Sequence, residues 1–331
     1  MELPTTSKEF FLASNKTSNA SSHRTDYSFG GLTLIQLRCI FASFCGLILL
    51  VGFAGNLFML LVLIEGFQSS SSNSISAVTS TLMVNITISD LIFLLYSVTV
   101  LLFTFLHEDW EMGAAVCVSS QSFSMWTMFC SFYSMVVTSI LQYLAVVHPT
   151  RSFSTNMLQR LLLCMLMWLK GFTVSIPNWM HQRVIVLEDA RYCMLLMTSK
   201  QTYLYFVLFG GIAFFPFVLL LFLCYSRIVH SLWFRKLVVV QSSTSIRVNK
   251  KAIVMTLTVL AVFLLMWIPC SVVIYLSAIH SLPQTPAGFV ASGLSTILAY
   301  SNCSVSPLIC FSLSDQFQAG LKKLLCQRGS R

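Results

Sequence analysis

Charge is what this chain has least of. Only 9% of its 331 residues are Asp, Glu, Lys or Arg, against 56% apolar ones. A helical protein in water needs polar faces, and runs such as Phe206 to Tyr225 carry none. No charge occurs between Arg38 and Glu65, nor from Met112 to Val147, Gln201 to Ser226, Ala252 to Ile279 or Ser281 to Ser314. Two further spans hold one charge each, Asp90 within Gly66 to Leu106 and Lys170 within Leu161 to Met180. A hydrocarbon core about 30 Å thick takes about 20 residues of helix, and backbone in lipid must satisfy its own hydrogen bonds. The pattern predicts an all-α bundle of seven transmembrane helices over residues 37–313, with a tail at 1–36 and a short amphipathic helix and tail at 314–331.

Other absences narrow the function. There is no internal repeat and no set of intramembrane ionisable groups, which argues against a transporter, kept as a lower alternative. His107, His148, His181 and His280 sit in different loops on both sides of the bilayer, without metal-ligand spacing or converging catalytic groups, so an enzyme is not expected. The first 30 residues are polar and lack a short apolar core with a cleavage site, so the first helix is expected to serve as its own signal.

The charges that do occur set the orientation. Arg151, Arg160, Arg227, Arg235, Lys236, Arg247, Lys250, Lys251, Lys322, Lys323, Arg328 and Arg331 share one side, opposed there only by Glu65 and Asp315. The other side mixes Lys8, Lys16, Arg24, Arg38, Arg183, Arg191 and Lys200 with eight acidic residues. Cytoplasmic loops carry the basic excess, so the N-terminus is expected outside. The tail there holds two glycosylation sequons, at Asn15 and Asn19. Those at Asn85 and Asn302 fall inside predicted helices. The net charge of +9 reports topology and anionic lipid, not nucleic acid.

Most of the eleven cysteines lie in apolar helices and read as small buried hydrophobes. Cys117 opens the third helix on the outer side and Cys193 follows the fourth; the outside is oxidising, so a disulfide between them is expected. Cys326, beside Lys322 and Lys323, suits palmitoylation by position.

Gly55-Asn56, the run Asn85 to Asp90, Trp110-x-x-Gly113-x-x-x-Cys117, Trp168 with Pro177, Pro216, Phe263-x-x-x-Trp267-x-Pro269 and Asn302 with Pro307 occur in order, followed by Asp315, Phe317 and Leu321. With this set the chain resembles the rhodopsin-like (class A) G-protein-coupled receptors from Gly55 to Leu325. Tyr143-Leu-Ala-Val-Val-His-Pro149, Pro177-Asn-Trp179, Ser306-Pro-Leu-Ile and Phe317-x-x-Gly320-Leu-Lys322 look most like peptide receptors of the galanin-receptor neighbourhood. The resemblance implies a plasma-membrane receptor for an extracellular peptide or small-molecule ligand, with a heterotrimeric G protein and arrestin as partners. It also implies an eighth helix, about Ser314 to Cys326, along the bilayer.

A carboxylate within a membrane helix is costly and marks function by default. The resemblance implies that Asp90, with Ser131 and Asn302, holds a sodium ion, a hard cation suited to oxygen ligands. A protonated Asp90 hydrogen-bonded to Asn56 and Asn302 is the alternative; no other cofactor is expected. Trp267 and Phe263 beside Pro269 form a candidate switch, since proline removes a backbone hydrogen bond and permits a kink. Lys170 either reaches toward the interface or pairs within the bundle.

The chain also departs from the family. Leu141-Gln142-Tyr143 stands where Asp-Arg-Tyr is usual, and Ser306-Pro307-Leu-Ile-Cys310 where Asn-Pro-x-x-Tyr is usual. Tyr225 comes nine residues after Pro216, one later than usual. Either the coupling is altered, constitutive or absent, as in a ligand sink or a partner of another receptor, or these are working variants. Ser124 replaces the amine-binding Asp of aminergic relatives, and Tyr300 stands where opsins keep their retinal lysine. The expected ligand cup comprises Gln121, Ser124, Met125, Trp179, Tyr203, Tyr275, Phe289 and Tyr300. Its lid carries Glu108, Asp109, Glu111, His181, Arg183, Glu188, Asp189 and Arg191, each of which has solvated loop charge as its ordinary role.

Overall fold

The computed structural model describes residues 28–69, 75–107, 109–148, 155–187, 190–238, 243–278 and 285–328. Asn15, Asn19, Glu108, Glu188, Asp189 and His280 lie outside them, as do the side chains of Arg235, Lys236, Arg247, Lys250 and Cys326. Seven helices are long and apolar enough to cross a membrane. α1 is Leu34–Ser69. α2 runs Ile75–Ile92, through a π-turn at Phe93–Val98, to Thr99–Leu106. α3 is Gly113–Val147 and α4 Met157–His181. α5 comprises Ser199–Leu208, a π-turn at Phe209–Phe214 and Phe215–Val238. α6 is Ser243–Ala278, α7 Pro286–Leu313 and α8 Asp315–Arg328.

Helix starts are written in uncharged capping boxes, in which a side-chain oxygen and a glutamine amide exchange bonds with the first free backbone N–H groups. Asn156 and Gln159 open α4, and Thr198 and Gln201 open α5. Thr33 and Gln36 do the same for α1, the Gln36 N–H donating to Thr33 Oγ1 at 3.3 Å and the Thr33 N–H to Gln36 Oε1 at 2.9 Å. The bundle therefore begins at Leu34, inside the segment read from sequence as tail, and a small hairpin of Ser28–Phe29 (β1) with Leu32–Thr33 (β2) precedes it. Thr285 caps α7 with Pro286 in its first turn, where a missing N–H costs nothing.

At the end of the bundle where α3 begins, Gln182–Leu187 (β3) and Ala190–Leu195 (β4) form an antiparallel hairpin with Val184 opposite Cys193. The disulfide Cys117–Cys193 ties it to the first turn of α3, with the two Cα atoms 5.5 Å apart. Gly113 takes φ +81 at the turn into α3, a conformation that favours glycine, and its carbonyl accepts from Trp110 Nε1 at 2.8 Å. Arg38 of α1 forks onto the last carbonyls of α2, donating to those of Phe105 and Thr104 at 3.1 Å each and to that of His107. A cation at a helix C-terminus satisfies orphan acceptors and the dipole together.

α3 and α4 approach closely at Gly171, where a Cβ would lie 2.7 Å from the Trp126 carbonyl oxygen and 3.1 Å from the Cys130 nitrogen. Trp126 Nε1 donates to the Trp168 carbonyl at 2.8 Å, and Trp168 Nε1 to Asn85 Oδ1 at 2.9 Å. The obstruction at Gly171 is backbone, which cannot rotate away. Gly171→Ala should cost about 1–3 kcal/mol, as overpacking does, read as a lower melting temperature of the purified protein; an unchanged melt would refute this contact.

Candidate functional site

Three layers of polar and aromatic side chains stack along α3. In the outer layer Ser124 Oγ and the Tyr300 hydroxyl share a buried hydrogen bond of 3.1 Å, joining α3 to α7, and Gln121 also reaches that phenol. Below them Trp267 packs against Tyr300, Phe263 and Phe93, with ring centroids 6.3, 6.1 and 6.5 Å away. Phe263 in turn stacks on Phe132 of α3 at 5.7 Å. The switch pair read from sequence thus sits between the outer layer and the core, with Pro269 inside α6 on the outer side of Trp267.

The other expected cup residues part company. Met125 is half-buried against the core between α3 and α5. Trp179 donates to Ser175 Oγ at 3.2 Å and packs edge-on to Phe123 of α3, and Phe289 leans on Phe41 of α1 at 5.8 Å. Tyr275 is 47% exposed and meets Phe206 edge to face at 5.3 Å. Tyr203 is 73% exposed and does not line the cup; on that helix Tyr205 turns inward instead, hydrogen-bonded to Asn178. The reason is physical: α5 is apolar all round, so no polar stripe marks its inner face.

In the middle layer Ser131 Oγ donates to Asp90 Oδ1 at 3.2 Å. Asp90, Ser131, Asn302, Trp267 and Phe263 line one small cavity. Asn302 Oδ1 and Trp267 Nε1 are buried there without a hydrogen-bond partner among the described residues. A carboxylate, a hydroxyl and an orphan amide oxygen form an all-oxygen donor set, which fits a hard cation. The Asn56 amide nitrogen donates to the Gly52 and Cys303 carbonyls at 2.8 Å each. Pro307, four residues after Cys303, has no N–H to give that carbonyl, and Asn56 supplies one.

The inner layer holds the departures. Gln142 Nε2 donates to Thr256 Oγ1 of α6 at 2.7 Å, with both residues buried. Leu141 packs with Val78 and Leu82 of α2. The Tyr225 hydroxyl shares a 3.0 Å bond with Ser139 Oγ, so Tyr225 faces α3 despite its shifted spacing. Tyr143 meets His148, its hydroxyl 3.4 Å from Nε2. Cys310 and Ser306 border a second cavity with Asp90, Met59, Met83, Met135 and Met255. Lys251 of α6 pairs with Asp315, and Lys323 of α8 with Glu65 of α1, while Phe317 is buried against Met59, Val62 and Met255.

Sequence reasoning missed the seam that organises these layers. Ser120, Ser124, Thr127, Ser131, Ser134 and Thr138 are all buried on α3. Their spacing of three and four residues, visible in the sequence, was the available signal. Asn85, the sequon within α2, donates to Ser134 Oγ at 2.9 Å and so lies far from any glycosylating surface.

The model of the family described as "7 transmembrane receptor (rhodopsin family)" matches residues 55–309. The chain is 28% identical to the mouse (Mus musculus) galanin receptor type 1 over 285 residues, covering 84% of this chain and 79% of that one. It is likewise 28% identical to mouse galanin receptor type 2, with 85% and 74% covered. The allatostatin-A receptor of Bombyx mori is 25% identical over 318 residues, with 92% and 84% covered.

The lid shows one titrating clamp. Asp109 accepts from the Arg191 backbone N–H and, at 3.1 Å each, from its Nε and Nη2. The backbone donor first, then the guanidinium, holds the Asp109 carboxyl below its ordinary value of 3.8. Because the folded value is depressed, the stabilisation is fully present above the ordinary value and is lost as pH falls through the folded one. Amide protection across β3 and β4, taken relative to the intrinsic exchange rate at each pH, should therefore fall in acid in the wild type. In Asp109→Asn protection should be lower at neutral pH and unchanged on acidification; an identical loss of protection in the variant would dismiss the clamp.

Proposed function

Because the chain belongs to the rhodopsin family of seven-transmembrane receptors, we propose that it is a plasma-membrane receptor, N-terminus outside, that binds an extracellular peptide and passes the signal to a heterotrimeric G protein and then arrestin through movement of α6. The relatives are receptors for galanin and for allatostatin-A, and a peptide is the ligand class we infer from them. As a member of this family the chain is a signalling receptor and not an enzyme.

The observation that carries the reading is the aromatic relay in which Trp267 rests on both Tyr300 and Phe263. A ligand touching Gln121, Ser124 or Tyr300 changes what Trp267 packs against. Pro269 denies the Leu265 carbonyl its helical donor, so α6 has a pivot beside that tryptophan. Differential contacts bias two packings of α6 that already interconvert, and the inner end then leaves Thr256 and Gln142 apart. A neutral hydrogen bond contributes about 0.5–1.5 kcal/mol net, against about 1.5–3 where a charge takes part. The inner contact is thus a soft catch. Asp90, Ser131 and Asn302 would hold a sodium ion, whose charge would compensate the Asp90 carboxylate.

A second reading has its own observation: Leu141 is buried among apolar side chains where relatives of this family carry an acid, and Gln142 brings no charge. On that reading the receptor binds ligand without driving a G protein.

Two measurements test the proposal. G-protein and arrestin recruitment is compared between wild type and Leu141→Asp/Gln142→Arg under a peptide library, with surface expression matched through an N-terminal tag on intact cells. Recruitment by wild type is the expected result, while silence there with activity in the double variant would establish the uncoupled reading, and a tag hidden from outside would overturn the orientation. For the ion, sodium should raise the melting temperature of the purified receptor, and Asp90→Asn should abolish that response; a response that survives the substitution would remove the site.

A further inference from the structure

Lys170 is the one basic residue near the middle of a membrane span. At about 1.5 Å per residue it lies about 20 Å along α4 from the inner end and about 17 Å from the outer one. It is exposed on the outward face of the bundle, and α4 cannot rotate to bury it. Gly171 beside it is wedged on the Trp126 and Cys130 backbone, and Trp168 is bonded on both sides.

The ammonium rests over two rings, 5.7 Å from the Tyr133 centroid and 5.4 Å from that of Phe217. Ring faces attract a cation but do not neutralise it. The Tyr133 hydroxyl is turned away, donating to the Ala213 carbonyl within the π-turn of α5 at 3.0 Å. No ion pair among the described residues includes Lys170. A charge held at this depth calls for an anion, and the chain does not supply it.

Depth and inventory choose the source. A headgroup phosphate lies beyond the hydrocarbon core, more than about 15 Å from the bilayer midplane, and the ammonium sits over the Tyr133 and Phe217 rings. A second copy of this chain has nothing to offer, because its one mid-span carboxylate, Asp90, is buried and bonded to Ser131. We propose that the α3–α4–α5 face centred on Lys170 docks another membrane protein, through a carboxylate in the middle of one of its transmembrane helices. The partner helix lies along the exposed Leu166 and Leu169 of α4, and its carboxylate meets the ammonium between Tyr133 and Phe217.

The test uses the full-length receptor in phosphatidylcholine bilayers and a synthetic polyleucine transmembrane helix with one central Glu, association being read by energy transfer. The central-Glu helix should bind wild type and Lys170→Arg about ten-fold more tightly than Lys170→Leu. A helix with central Gln, or with Glu in its last turn, should lose that preference. Lys170→Leu places an apolar side chain against lipid, so a melting temperature at or above that of wild type separates lost docking from lost fold. Equal binding to Lys170→Leu, or preference for the terminal Glu, would overturn the proposal. Displacement of the central-Glu helix by phosphatidylserine would overturn it too, by assigning the site to lipid.

Discussion

The fold depends on how α3 disposes of its hydroxyl groups in a medium that cannot hydrogen-bond them. Ser124, Thr127, Ser134, Thr138 and Ser139 each donate to a carbonyl four residues back, at 2.7 to 2.9 Å. With the donor satisfied inside the helix, the oxygen lone pairs remain to face a neighbour. Ser134 accepts from Asn85 of α2, Ser124 meets Tyr300 of α7, and Ser139 meets Tyr225 of α5. Ser131 instead donates to Asp90. Without water the alternative to each contact is an unpaired polar group, so the register of the helices around α3 is set by these few bonds. The apolar packing between them fixes little by itself, because lipid solvates leucine as well as protein does.

The same accounting explains the breaks in the helices. Pro307 leaves the Cys303 carbonyl to Asn56, which reaches across from α1. The π-turn of α5 brings the Ala213 carbonyl to Tyr133 of α3. At these two places irregular backbone is answered by a side chain from another helix, and so each irregularity also becomes a tie. The buried polar atoms left without an answer beside Asp90, on Trp267 and Asn302, sit where the bundle has its central cavity.

Much of the architecture was legible in the residues. Five charge-free runs and two holding a single charge mark the seven membrane helices, and the cysteine placement anticipates the Cys117–Cys193 bond. The family resemblance put Ser131 and Asn302 with Asp90; Ser131 bonds to it, and Asn302 lies in the same cavity. What escaped was of three kinds. The π-turn at Phe93–Val98 contains neither proline nor glycine, so nothing local announces it. The facing of α5 was also hidden, since apolar residues suit both lipid and core; Tyr203 and Tyr205 differ by two positions and by nothing in their chemistry. The bond between Gln142 and Thr256 joins positions 114 apart, and only the packing of α3 on α6 makes them neighbours.

On the proposed mechanism, that last bond would set the conditions under which the receptor rests. An ion pair at the mouth of the bundle would weaken as salt screens it over a Debye length of about 8 Å in the cytoplasm, and its acid would answer to pH. A glutamine amide and a threonine hydroxyl, both buried, do neither. On the proposed mechanism, the balance between two packings of α6 would be decoupled at this contact from the ionic composition of the cell interior, and the inner face would be left to answer to the ligand and to the protein that binds there.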